Sequence, residues 1–256
     1  MIEVADLSVR FGGVVPIDGM TVTFAAGTCG LIGPNGAGKT TFFNVLSGFV
    51  RPASGTVSAF GDNLLAMPDF KRARWGLRRT FQTEQAIANL SVGENVLLVH
   101  EHSGGDRRTR REDIDKAIAF VGLDDHAHRL VGSLGAAQRR LVELARAIVG
   151  MPRLVLLDEP AAGLPEEETT HLASLIRRIP EETGALVILV DHDMSLVSAC
   201  CATTAVLDFG RLIASGATAE VLRDANVVRA YLGTEEVARS DRELAPAFMP
   251  VAQERH

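Results

Sequence analysis

Over residues 2–9 apolar and polar positions alternate, the period of a half-buried strand, until Gly12 and Gly13 break the run. A second alternation occupies 20–24. Residues 30–32 form a short apolar stretch that runs into glycine-rich sequence, after which Phe42, Phe43 and Leu46 fall at helical spacing. The order predicted there is strand, loop, helix. Another strand is predicted over 56–60, behind a turn at 52–55. Residues 154–157 and 186–190 differ in kind, being continuous apolar runs of the sort that strands covered on both faces carry. Between them Leu172, Leu175, Ile176 and Ile179 keep a helical period. Buried strands with an intervening helix are what a parallel sheet requires, so the outer parts of the chain are predicted to be α/β.

The middle of the chain follows another period. Ser91 with Glu94 makes the S-x-x-E pattern of a capping box ahead of 96–99, and 114–121 and 141–148 carry helical spacing with no strand pattern between them. A helical insertion over about 83–150 is predicted. Within it, residues 104–111 are glycines followed by arginines, a solvated loop or a contact with anionic lipid or a partner. After Gly233 the chain turns charged and proline-containing without a sustained period. That predicts one domain over 1–233 and a loosely held tail over 234–256.

Composition narrows the class. Lys and Arg number 26 against 32 Asp and Glu, a formal charge of −6, which excludes a basic nucleic-acid binder. Apolar residues make up 46% and charged residues 23% of 256 positions, enough for one large core or two modest ones. No window approaches about 18 uninterrupted apolar residues and no secretory signal precedes Ile2, so the expected location is cytoplasmic. Cys29 and the adjacent Cys200 and Cys201 make no disulfide framework and are expected to be buried thiols in a reducing compartment.

Chemistry enters at residues 33–41, GPNGAGKTT, which match G-x-x-x-x-G-K-[ST] between a predicted strand and a predicted helix. Phosphate oxygens need several donors at once, and Gly36 and Gly38 let backbone N–H groups approach without a Cβ in the way. Lys39 brings a point charge to β and γ phosphates, Thr40 a hydroxyl for Mg2+, and the helix N-terminus its partial positive charge. Gly33, Asn35, Ala37 and Thr41 complete the loop. Residues 154–160, LVLLDEP, deliver two carboxylates at the carboxyl end of an apolar strand, where ligands bind in open α/β sheets. Asp158 is the candidate to hold Mg2+ through water, and Glu159 to polarise an attacking water. Taken alone, the Asp-Glu pair could equally cap a helix.

With these motifs in order, the chain resembles the nucleotide-binding subunit of an ATP-binding cassette (ABC) transporter over nearly its whole length. TFQ at 80–82 is similar to the family's Q-loop, LGAAQRRLVELARA at 134–147 stands in the position of its signature motif, and DHD at 191–193 carries its switch histidine. Local likenesses point further, to the branched-chain amino-acid uptake subfamily: FGG near the start, IGPNGAGKTTFFNVLSGF, PAAGL, HDMSLV and VVRAYLG. The resemblance implies an α/β P-loop NTPase fold of the ABC type, with an antiparallel β subdomain and an inserted α-helical subdomain. It implies that Phe11 stacks on adenine, unless that ring is a core residue at a strand end. Gln82 would coordinate Mg2+ or the lytic water and report nucleotide state to the membrane subunit, and His192 would contact the γ phosphate and orient the water. The implied catalytic set is then Lys39, Gln82, Glu159 and His192, and the implied Mg2+ set Thr40, Gln82 and Asp158.

The same resemblance implies partners: membrane permease subunits, a second ABC ATPase subunit and, at the level of the complex, an extracytoplasmic solute-binding protein. The chain would lie peripherally on the inner face of the cell membrane, with its permease contact around Gln82 and the helical insertion. Trp75 and Phe81 are candidate apolar anchors there, Trp75 equally a core residue. A regulatory nucleotide-binding subunit and a soluble ABC ATPase not engaged in transport are the rival readings.

Two places depart from the family pattern. With 145–147 as the anchor, LSGGQ aligns with Leu134, Gly135, Ala136, Ala137 and Gln138, so the serine and the second glycine are absent; a frame shifted to Ser133 is the alternative. In the family those groups donate to the γ phosphate of ATP held by the opposite subunit. Losing a hydrogen bond to a charged group costs roughly 1.5–3 kcal/mol, which slows a step made only in the transition state by roughly ten- to a hundredfold. The second departure is Pro165, where the family has Asn or Asp; with Glu166, Glu167 and Glu168 it makes a good first helical turn. An intact site of its own beside a depleted signature predicts an asymmetric heterodimer.

Overall fold

The computed structural model describes residues 1–230; the expected tail over 234–256 lies outside them. The first alternating segment is β1 (Ile2–Phe11), which pairs antiparallel with β2 (Val14–Phe24). Its buried apolar positions are Ile2 and Val4, then Leu7 and Val9, so the period slips by one residue midway. The register with β2 shifts between Val4 and Leu7, that with the strand on the other side between Ala5 and Ser8, and Asp6 has φ 50°. A bulge there keeps both halves facing inward.

After β3 (Thr28–Ile32) and α1 (Lys39–Ser47), the strands β4 (Ser54–Ala59) and β5 (Asp62–Asn63) complete a four-stranded antiparallel sheet in the order β2-β1-β4-β5. Then come α2 (Asp69–Trp75) and β6 (Leu77–Arg79), neither of them predicted, followed by α3 (Val92–His102), α4 (Arg110–Phe120) and α5 (Ala136–Ile148). The capping box of α3 is formed in both directions: Glu94 N–H donates to Ser91 Oγ (3.2 Å) and Ser91 N–H to Glu94 Oε2 (2.7 Å). Arg107 and Arg108 are exposed in the loop before α4, while Arg110 and Arg111 belong to the helix itself rather than to the predicted loop.

The rest of the chain alternates strand and helix: β7 (Leu154–Asp158), α6 (Glu166–Thr183), β8 (Leu186–Val190), α7 (Met194–Cys200), then β9 (Thr203–Asp208) and β10 (Arg211–Ala217). The second sheet has six strands in the order β10-β9-β3-β8-β7-β6 and is parallel except for the edge strand β10. Pro165 occupies the N-cap position of α6, one residue outside the predicted first turn, and Glu166, Glu167 and Glu168 fill that turn.

The parallel sheet divides the apolar interior in two. Leu154, Leu156, Leu186, Ile188 and Leu31 pack towards α1 and the antiparallel sheet. Their strand neighbours Val155, Leu157, Val187, Leu189 and Ile32 pack on the other side, in one continuous core with α5, α6 and the helices α3 and α4. The three cysteines are free and buried. Among the described residues no helix is long and apolar enough to cross a membrane.

Candidate functional site

Four parallel strands end side by side, and each delivers part of the predicted chemistry: β3 the loop 33–38, β6 the segment holding Gln82, β7 Asp158 and Glu159, and β8 Asp191 and His192. In the loop, a Cβ on Gly33 would collide with the Leu207 carbonyl, and one on Gly38 with the Pro16 carbonyl. Those two glycines let the loop press against β9 and β2, which fixes where α1 begins. The N–H groups of Gly36, Gly38, Lys39, Thr40 and Thr41 have no backbone acceptor, and the helix start has no side-chain cap. An anion is what such a row of donors accepts. Lys39 is buried beside them and donates to the carbonyls of Gly33 (2.6 Å) and Pro34 (2.9 Å). Burial holds its ammonium pKa below the usual lysine range, against the opposing pull of Glu159, Asp158 and Asp191.

Glu159 is held in the left-handed region at φ 47°, its N–H bonded to the Val190 carbonyl at 2.8 Å. A non-glycine residue there carries about 1–3 kcal/mol of strain, which persists only where the surroundings enforce it. Its Oε2 accepts from Gln82 Nε2 at 3.0 Å and lies 4.0 Å from His192 Nδ1. Glu159, Gln82 and His192 therefore meet across elements far apart in sequence. Asp158 is almost fully buried, with Oδ2 paired to Arg79 at 2.9 Å and its N–H bonded to Thr80 Oγ1 at 3.1 Å. Burial raises its pKa, which the Arg79 hydrogen bond and charge oppose. Among the described residues, Asp158 Oδ1, Gln82 Oε1 and the Thr40 hydroxyl have no hydrogen-bond partner. These are oxygen donors of the kind a hard cation takes, so the residues fit Mg2+.

Phe11 ends β1 with 52% of its surface exposed, which removes the core-ring reading. Trp75 goes the other way: its Nε1 donates to Asp62 (2.7 Å) and the Arg153 guanidinium covers its ring at 4.3 Å, committing it to packing. Phe81 is stacked on the exposed Phe49 with ring centroids 6.2 Å apart. Sequence reasoning missed Arg79 and Asp191. Asp191 is buried with Oδ2 unpartnered, and its only local signal was its place beside His192.

The signature segment stands apart from this cluster. Gly135 is the N-cap of α5, and its N–H donates to Gln138 Oε1 at 3.3 Å; Ala136 and Ala137 open the helix. Ser133 lies in a separate short turn, bonded to the Leu130 carbonyl at 2.8 Å, and α5 begins after Gly135. The helix is tied back to the Q-loop by Arg139 to Glu84 (2.8 Å) and by Arg140 to the Gln82 carbonyl (3.4 Å).

Residues 17–162 match the family model described as ABC transporter. The chain belongs to the ABC transporter family. A second model, that of the branched-chain amino acid ATP-binding cassette transporter, matches residues 211–237 of this ABC ATPase. The high-affinity branched-chain amino acid transport ATP-binding protein BraF of Pseudomonas aeruginosa is 35% identical over 91% of the chain and 98% of its own length. LivG of Escherichia coli strain K12, described in the same words, is 36% identical over the same shares. Among solved structures, the ADP conformation of MJ1267, an ATP-binding cassette of an ABC transporter, superposes with a TM-score of 0.81 at 25% identity, covering 91% of the chain and 98% of its own. CbiO1 from Clostridium perfringens shares the fold at a TM-score of 0.80 and 23% identity, covering 94% of the chain and 98% of its own. As an ABC ATPase the chain binds ATP and couples its hydrolysis to transport.

Proposed function

We propose that this chain powers a membrane importer for branched-chain amino acids or related small solutes, as one half of an asymmetric ATPase heterodimer on the cytoplasmic face of its permease. The observation that carries this is the contrast between the assembled cluster of Lys39, Gln82, Glu159 and His192 and the bare Gly135 at the start of α5. In this reading Phe11 covers the adenine, the loop 33–41 takes the phosphates, and Lys39 turns from its loop carbonyls to the γ phosphate. Glu159 accepts the proton of the attacking water while Gln82 and His192 orient it. Thr40, Gln82 and Asp158 are the residues that would hold Mg2+, which when bound supplies charge neutralisation on the phosphate oxygens. The site completed by Gly135 to Gln138 in the partner ATPase lacks a serine hydroxyl and is the weak one. Phe49 and Phe81 present rings beside the Q-loop that suit the permease contact.

Affinity purification from gently solubilised membranes of the native host tests this. Recovery with hydrophobic permease subunits and a second ATPase bearing an intact LSGGQ is the expected result. Recovery from the soluble fraction, alone or with ribosomes or nucleic acid, would discard the transport reading. An assembled complex that binds ATP but loses nothing on Glu159→Gln would mark the chain as a regulatory subunit.

A further inference from the structure

We propose that Arg79 is a positioning residue of the hydrolysis site: it holds the Asp158 carboxylate in the orientation a metal ion needs and links that grip to the Q-loop ring Phe81. The inference rests on Asp158 serving Mg2+ as proposed above. Arg79 is the last residue of β6, and its guanidinium reaches three different elements. One terminal nitrogen pairs with Asp158 Oδ2 at 2.9 Å; the other donates to Asn44 Oδ1 (2.8 Å) and Ser47 Oγ (3.3 Å) on α1, the helix that follows the phosphate loop. Its flat face lies 5.5 Å from the Phe43 centroid and 4.7 Å from that of Phe81.

The pair is almost dry, with side chains 5% and 7% exposed. Net stability gained from such a pair is small once desolvation is counted, so its consequence is geometric. A planar guanidinium held by Asn44 through one terminal nitrogen directs the other at a single oxygen of the carboxylate. Nε is left without a partner, a sign that the terminal nitrogens set the orientation. With Oδ2 taken, Oδ1 is the oxygen left for a metal ion or its water. Partners of this kind behind a metal-binding carboxylate are worth about 10- to 100-fold in metal affinity. Phe81 closes the remaining face and stacks on Phe49, which is 58% exposed, so a displacement of the surface rings reaches Asp158 through one side chain.

Two measurements on the full chain test this: binding of a fluorescent ATP analogue in EDTA, and nucleotide-dependent Mn2+ binding followed by loss of the free-ion electron paramagnetic resonance signal. Arg79→Gln is expected to leave metal-free nucleotide binding unchanged while weakening Mn2+ binding about 10- to 100-fold. Arg79→Lys keeps the charge without the fork and is expected to stay impaired. Arg79→Gln leaves a buried carboxylate unpaired, so Asn44→Ala, which keeps the ion pair, and Phe81→Leu provide independent readings, both expected to lower Mn2+ affinity by a smaller factor. Tighter Mn2+ binding by Arg79→Gln would make the arginine a competitor of the metal, and equal loss of metal-free and Mn2+ binding would make it purely structural; either overturns the proposal. Variants that bind both ligands as the wild type does overturn this inference alone. A wild-type chain that binds no nucleotide overturns the ATP-binding reading and this inference with it.

Discussion

Glu159 stands at the end of a strand buried on both faces, held at positive φ by the neighbouring strand, with Gln82 bonded to it and His192 nearby. Gly135 stands at the exposed start of α5, and a Cβ added there would meet nothing within 4 Å. The two segments are built differently. The strand-end site is assembled from elements of this chain alone, so its parts constrain one another. The helix start has open space around Gly135, so the fold of this chain does not depend on which small residue occupies it. In the proposed heterodimer, a serine missing at this position would cost function in the dimer and little stability in the monomer.

The largest effect that bears on this contrast is expected from Glu159→Gln in the assembled transporter. Removing a general base costs typically 10²–10⁴-fold in turnover, and here it should do so with ATP binding retained. The contrast would fail if the purified chain alone turned over ATP with a Hill coefficient near two, since that would require its own signature to complete a competent site. Next in size is Gly135→Ser, which restores a hydroxyl at an unobstructed position with φ −68°. ATPase in the complex should rise by roughly tenfold or more, following the hydrogen-bond energy to a charged group. No change would mean that the alignment of Gly135 with the family serine is wrong.

Much of the strand-end site was legible because its signals are local. The continuous apolar runs of β7 and β8 and the phosphate loop between β3 and α1 each declare themselves within ten residues. What escaped was set by partners distant in sequence. Leu77, Arg78 and Arg79 read as a mostly polar stretch, because the groups that bind Arg79 lie at Asp158 and Asn44 and no local period announces them. The slip at Asp6 escaped for the opposite reason, since a one-residue bulge preserves the look of alternation while changing its phase. Trp75 could be read either way until Asp62 and Arg153 were seen around it. Around Gly135 the sequence left two frames for the motif, and the structure adds that α5 begins after Gly135.

A smaller effect is expected where the Q-loop meets β7. Thr80 Oγ1 accepts the Asp158 N–H in a buried setting, and Thr80→Val keeps the shape while leaving that donor unmatched. The cost is about 1–3 kcal/mol, read as a lower urea midpoint at an unchanged slope. If stability is unmoved, water reaches the strand end and the site is less closed than its geometry indicates.

The smallest effect tests whether the two regions are separable at all. Ser91 caps α3 in the helical insertion and is half-buried, and the apolar positions of α3 belong to the same core as β7 and β8. Ser91→Ala removes the acceptor for Glu94 N–H and should cost about 1 kcal/mol, whereas Ser91→Gly should cost only a few tenths. In a chain of this size the alanine change lowers Tm by roughly 2–4 °C. Metal-free ATP affinity should stay where it is, because the cap energy is local and the donor row is held by Gly33 and Gly38 against β9 and β2. Should nucleotide affinity fall together with Tm, the shared core transmits strain from the helices to the strand ends. The signature region and the hydrolysis site would then act as one cooperative unit, and differences between them would have to be measured in paired variants.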